Sequence, residues 1–442
     1  MKRILIITIL FFACLTQSFA QFSQEERDSI YRLSAEDHQL MLKKLGIDSL
    51  RHGPSGNPQD PNAANSDESK VSEYKLPELL VLKNGSKVSS GQEWEKRRQE
   101  IIEDLDAEVY GRFPKEIPAV NWKVVSRKDS IIGDHPVLVE ELLGVVDNSA
   151  YPEIRVEIRM TLTLPKNSDK PVPVILKFDW NFPAGFNPAP EQENPWQEQL
   201  LAQKWGYASL IPTSYQADNG AGLRKGIIGL VNQGQPRKLD DWGALKAWAW
   251  GAGRALDYFK NHSKVDAKKV AIEGLSRYGK AAMVTMAYDD RFAVGFIGSA
   301  GAGGTKILRR NFGEQVENLA SPSQYHWFAP SFIKYAGPFE TNDLPVDAHH
   351  LIALAAPRPV FISSGDPKVE GNWIDAKGMY LAGVHASPAY EIYGEKALSN
   401  AEFPEVGKFL SDGKLVFRIH EGGHTLIPNW PYFIEFAKLH FK

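Results

Sequence analysis

Between Tyr74 and the C-terminus, short runs of alternating apolar and polar residues take turns with longer segments whose apolar positions return every three or four places. The first pattern predicts strands and the second helices. A charged helix at 92–110 stops at Gly111, and strands are predicted at 120–126 and 154–164. A regular order follows: strand 172–178, helix 197–205, strand 208–212, a long helix 240–261, strand 269–273, helix 279–287 and strand 293–298. Further on come strand 360–363, segment 374–383, strand 415–419 and a closing helix at 431–441. Strands separated by helices build βαβ units, so the expected class is α/β, a parallel sheet in a three-layer αβα sandwich. No internal repeat and no second domain of catalytic size breaks this order.

The chain before Tyr74 has a different character. Residues 23–45 read as one amphipathic helix, with Ile30, Leu33, Leu40 and Leu45 on its apolar positions. Residues 52–70 are rich in Pro, Gly, Asn, Asp and Ser and nearly empty of large apolar side chains. Such a stretch cannot offset its own ordering entropy and is expected to be a linker or an extended surface arm. At the start, Met1-Lys2-Arg3 is basic, Ile4 to Thr16 is apolar, and Ser18-Phe19-Ala20 is a small-x-small site. That is the pattern of an export leader, which implies a secreted or periplasmic protein. The expected organisation is a leader at 1–20, a helix and arm at 21–73, and a catalytic domain at 74–442.

Composition narrows the chemistry. The formal charge of -3 and the lack of a basic run argue against a nucleic-acid binder. No segment approaches the ~20 uninterrupted apolar residues of a membrane span. The single cysteine, Cys14, lies in the leader, so disulfides, thiolate catalysis and Cys-based metal sites are all excluded from the mature chain. Of the eleven Trp, one or two are candidates for the flat wall of a sugar site. A monomer is expected.

The sharpest signal is Val270-Ala271-Ile272-Glu273-Gly274-Leu275-Ser276-Arg277-Tyr278-Gly279-Lys280. An apolar strand, a tight turn and the start of a helix place a serine where an α/β-hydrolase holds its nucleophile. The usual pentapeptide has glycine two residues after the serine, and Tyr278 stands there instead. In this fold the acid follows a later strand and the histidine follows the last one. Ser363-Ser364-Gly365-Asp366 closes a strand in the acid's place, and Gly422-Gly423-His424 follows the final strand. Ser276 is thus the candidate nucleophile and His424 the candidate base, while His420 reads as structural. His349-His350 reads as a packing pair, and no His/Asp/Glu cluster has metal-ligand spacing. Neither a metal nor any other cofactor is expected.

The segment Gly274-Leu275-Ser276-Arg277-Tyr278-Gly279-Lys280 resembles the G-C-S-R-x-G-K motif of the glucuronoyl esterases, carbohydrate esterase family 15. The resemblance extends to Asp241-Trp242-Gly243, Trp248, Gly301-Ala302-Gly303-Gly304, Tyr325-His326-Trp327-Phe328 and Ala356-Pro357-Arg358-Pro359. It also takes in Trp373 with Asp375-Ala376-Lys377-Gly378, the Gly-Gly-His turn, and Trp94, Arg97 and Glu108 to Arg112 upstream. It therefore runs from about Leu76 to the C-terminus. It implies hydrolysis of the ester between a 4-O-methyl-glucuronoyl group of glucuronoxylan and a lignin alcohol. By position, Ser276 would attack and His424 would move its proton. Arg277 would hold the oxyanion, Lys280 would bond sugar hydroxyls, and Trp373 would edge the sugar ring. Gln324 and Glu317 fall near the family's sugar-binding amide and carboxylate. Two cations at a helix N-terminus run against the helix dipole, which favours a functional reason for Arg277 and Lys280.

One departure stands out. Many members carry a glutamate after the strand that follows the elbow, and the matching place here, Ser299-Ala300-Gly301, has no carboxylate. Asp366, at the end of a later strand, is the expected replacement, with Glu370 the second candidate. Two other functional readings stay open on these residues. One is an acetyl or other carbohydrate esterase on the same scaffold, and the other a carbohydrate-binding protein that has lost its acid.

Overall fold

The computed structural model describes residues 23–181, 194–399, 402–409 and 412–441. The leader expected at residues 1–20 lies outside the described residues. Helix α1 (Gln24–Leu45) opens on a capping box between Ser23 and Glu26 and closes on Gly46. Helix α2 (Gly91–Glu108) starts from the cap Ser90. The helices that follow are α3 (Trp196–Ala202), α4 (Gly226–Val231), α5 (Ala244–Lys260), α6 (Arg277–Tyr288), α7 (Val316–Leu319), α8 (Ala348–Ala353), α9 (Ala376–Glu391) and α10 (Trp430–His440).

Nine strands form one sheet in the order β1-β2-β3-β5-β4-β6-β7-β8-β9. They are β1 (Val120–Ile132), β2 (His135–Val146), β3 (Glu157–Pro165), β4 (Val172–Phe178), β5 (Gly206–Ile211), β6 (Val265–Leu275), β7 (Val294–Gly298), β8 (Val360–Gly365) and β9 (Leu415–His420). The first three strands and the β3–β5 pair are antiparallel, and every pair from β5 to β9 is parallel. Strand β2 has no counterpart in the sequence reading. Its hairpin with β1 turns on Gly133-Asp134, with Ile132 opposite His135 and Gly133 at φ 55°, and a two-residue turn with positive φ is the connection that matches strand twist.

Alternation along the parallel strands sends side chains to opposite layers. Ile175, Ala271, Phe296, Phe361 and Val416 point to the face covered by α3 and α10, where Phe296 stacks on Phe433 at 4.3 Å. Val174, Leu176, Val270, Ile272, Ile297, Ile362 and Phe417 belong to the larger core under α5, α6, α8 and α9. Helix α2 lies behind that layer, its Arg98 donating to the carbonyls of Ala287 and Leu354. The three-layer αβα arrangement expected of an α/β-hydrolase is the architecture present.

The arm before Tyr74 is laid onto the chain that follows it. Asn65 donates to the Asn311 carbonyl at 2.8 Å and accepts from the Gly313 N–H at 2.8 Å. Glu68 pairs with Arg310 and, at 2.9 Å, with Lys377, and Arg51 pairs with Glu317 at 3.0 Å. Helix α1 is fixed likewise, since Tyr325 donates to Asp37 at 2.9 Å. Polar contacts to backbone and side chains of the later chain therefore hold this stretch, which is poor in large apolar residues. A direct check on the sandwich is Phe296→Ala: removing a fully buried ring stacked on Phe433 is expected to cost about 3–5 kcal/mol in chemical denaturation.

Candidate active site

Strand β6 runs directly into α6, and the residue between them, Ser276, takes φ 64° and ψ -130°. Such backbone costs a non-glycine residue about 1–3 kcal/mol and persists only where its surroundings impose it. Here the Ser276 N–H donates to the Gly298 carbonyl of β7 at 2.9 Å, and the Lys280 N–H donates to the Ser276 carbonyl at 3.0 Å. A Cβ on Gly274 would collide with the Tyr278 carbonyl, so glycine is required there. Tyr278 itself fits because its ring is buried among Trp180, Trp248 and Phe178. Ser276 thereby stands half-buried at the mouth of α6, whose first-turn N–H groups lack intrahelical acceptors. That helix end favours developing negative charge.

His424 lies in the turn after β9. His420 is buried and its Nδ1 accepts the Gly422 N–H at 3.0 Å, so this histidine shapes the turn. Leu426, two residues past His424, packs where a side chain on Gly298 would sit. Gly298 is also the acceptor for Ser276, so the histidine turn and the elbow are neighbours above the same sheet edge.

The carboxylate that reaches His424 is Glu370, the second of the two candidates, and not Asp366. His424 Nδ1 lies 2.6 Å from Glu370 Oε1. An ionised carboxylate only accepts, so Nδ1 carries the proton and Nε2 is left for proton exchange. Asp366 serves the turn instead. Its side chain accepts the Lys368 N–H at 2.9 Å and its carbonyl accepts the Glu370 N–H at 2.7 Å. This is one helical turn opened by an Asp cap and Pro367, and it folds residue 370 back over the strand end. There Oε2 of Glu370 accepts from the Gly365 N–H at 2.5 Å and from Ser364 Oγ at 3.2 Å. Burial pushes the Glu370 carboxyl up, but His424 and the Gly365 N–H are among the groups that outweigh it and hold it below its ordinary value.

The remaining candidates divide. Trp373 donates to the Glu370 carbonyl at 2.8 Å, leaves 40% of its surface exposed, and sets its ring 5.3 Å from that of His424. Lys280 is buried, with Nζ donating to the Ala300 carbonyl at 2.7 Å and 3.8 Å from Glu314. Burial pulls its ammonium below the ordinary value, and Glu314 opposes the shift. The carboxylate beside Lys280 is thus Glu314, whereas Glu317 is turned to Arg51 of the arm. Gln324 keeps a buried Oε1 that has no partner among the described residues. Arg277 extends to Asp218 at 2.6 Å, a residue that sequence reasoning did not single out. His349 and His350 are buried against each other at 4.0 Å, and the described residues include no cluster able to hold a metal.

Comparison with known proteins bears on this constellation. Residues 237–394 match the family model for glucuronyl esterases of fungi. A carbohydrate esterase from an unknown prokaryotic organism is 31% identical over 86% of this chain and 93% of its own length. The structure of a carbohydrate esterase family 15 glucuronoyl esterase from Teredinibacter turnerae is 44% identical, covers 92% of this chain and all of that one, and superposes with a TM-score of 0.87. The chain belongs to carbohydrate esterase family 15. A glucuronoyl esterase from Solibacter usitatus, 33% identical over 85% of this chain and all of its own, has a TM-score of 0.75. A 4-O-methyl-glucuronoyl methylesterase from Hypocrea jecorina is 25% identical over 66% of this chain and 57% of its own length.

The acid assignment is tested by a pair of isosteric changes. Glu370→Gln is expected to lower kcat by up to about 10⁴, as when a triad histidine loses the carboxylate that fixes its tautomer. Asp366→Asn keeps a good N-cap and is expected to leave turnover nearly unchanged. A second measurement follows from the depressed carboxyl of Glu370. Its stabilising contribution is present above its unfolded value of about 4.5 and is lost as pH falls through the lower folded one. The Tm gap between wild type and Glu370→Gln should therefore narrow between about pH 7 and about pH 3.

Proposed function

We propose that this chain is a serine carboxylic-ester hydrolase that cleaves 4-O-methyl-glucuronoyl esters, the linkage between glucuronoxylan and lignin alcohols. One observation carries the reading: the strained Ser276 elbow shares a sheet edge with a histidine whose Nδ1 is committed to a buried carboxylate. His424 takes the Ser276 proton through Nε2 as Oγ attacks the ester carbon, and Glu370 stabilises the imidazolium that forms. The tetrahedral oxyanion is met by the α6 N-terminus and by Arg277. Collapse of the intermediate expels the alcohol, which takes the proton from His424. Water then repeats the sequence and releases the uronic acid.

For the sugar, the buried pair Lys280–Glu314 supplies polar groups, and the exposed Trp373 supplies a flat face. An acetyl group would need no such set of polar contacts. The reading of a binding protein without catalysis drew on a missing acid, and Glu370 fills that place. Export follows from the leader pattern at residues 1–20, and no described helix is long and apolar enough to cross a membrane.

The protein without its leader, assayed on benzyl glucuronate and on p-nitrophenyl acetate beside Ser276→Ala, tests the proposal. Preference for the uronate with total loss in Ser276→Ala is expected, and preference for acetate would overturn the substrate class. Lys280→Ala is expected to raise KM for the uronate and leave acetate turnover little changed.

A further inference from the structure

The guanidinium of Arg277 is held on three sides. Its Nη1 donates to Asp218 Oδ2 at 2.6 Å. The rings of Trp180 and Trp327 lie 5.2 Å and 5.5 Å from its centre. Its Nε is buried and has no partner among the described residues. A flexible side chain that is 37% exposed is thereby fixed by a carboxylate and two aromatic faces.

Asp218 is itself locked. It lies in the loop after β5, and its side chain is only 15% exposed. Its second oxygen, Oδ1, accepts from Trp327 Nε1 at 2.7 Å and faces His326 Nε2 at 3.0 Å. His326 is almost wholly buried, and its Nδ1 has no partner among the described residues. Burial favours its neutral form, opposed by Asp218. Burial alone would raise the Asp218 carboxyl, but His326, Arg277 and the Trp327 N–H hold it well below the usual carboxylate range. An ionised carboxylate suits this position for a stereochemical reason. It must accept on both oxygens, from a guanidinium on one side and an indole N–H on the other. An asparagine would meet one of those donors with its own NH₂ group, whichever way it turned.

We propose that Asp218, backed by Trp327 and His326, is a positioning residue that aims Arg277 at the oxyanion formed on Ser276. The inference rests on the esterase reading above. The carboxylate partly offsets the field of the guanidinium, but an unfixed arginine at a partly exposed site would lose more through side-chain freedom and water screening. The gain is preorganisation, with the donor already in place when charge develops.

The test is a double-mutant cycle on the protein without its leader, with benzyl glucuronate as substrate. Asp218→Asn is expected to lower kcat about tenfold to hundredfold with KM nearly unchanged, and to add no further loss in an Arg277→Ala background. Asp218→Glu should recover part of the loss, and Trp327→Phe, which removes the N–H donor to Asp218 and shrinks the ring beside Arg277, should also lower kcat. Phenylboronic acid, which forms a tetrahedral anion on a serine, should bind Asp218→Asn more weakly by a similar factor. Additive losses in the cycle, or unchanged phenylboronic acid affinity, would assign Asp218 a merely structural role and overturn the proposal. Retained activity in Ser276→Ala would instead overturn the esterase reading, so the two failures are distinguishable.

Discussion

The site depends on the bond between His424 Nδ1 and Glu370, and that bond depends on a single helical turn after β8. A carboxylate at that strand end must bend back to reach an imidazole on the neighbouring turn. The Asp366 cap and the i→i+4 spacing bring residue 370 over Gly365, whose N–H then fixes the free oxygen. With both oxygens engaged the carboxylate has one orientation, and so does the imidazole it holds.

Around this bond the three strand ends act together. The Ser276 N–H is tied to the end of β7, the Ser299 N–H donates to Ser363 of β8 at 2.8 Å, and the Asp366 N–H donates to Gly422 beyond β9 at 3.0 Å. The candidate nucleophile, acid and base are thus anchored to a continuous hydrogen-bonded edge. Arg277 and Lys280, on α6, share the Trp327 ring, which lies 5.5 Å from the first and 5.7 Å from the second. One indole thus borders both cations of this helix.

The parallel strands and the elbow were legible because each is local: an apolar run, a glycine that permits close backbone passage, a serine, a helix. Strand β2 was overlooked although Gly133-Asp134 between apolar runs is a turn signal. The choice between Asp366 and Glu370 turned on a reversal of direction within five residues, and proximity to the strand end favoured the wrong one. Glu314 and Glu317 lie three positions apart, yet the first lies beside Lys280 and the second pairs with Arg51, far away in sequence. Asp218 belongs to no motif, and its meaning arises only where it meets Arg277 and Trp327.

The docked arm has a consequence for the order of events in the life of the chain. Asn65 is synthesised early, yet its partner Asn311 lies 246 positions later. Gly313, which the arm also grips, adjoins Glu314, whose N–H donates to the Trp373 carbonyl at 3.0 Å. The rim of the site can therefore close only after most of the polypeptide has been made, so a segment synthesised early must wait for its seat.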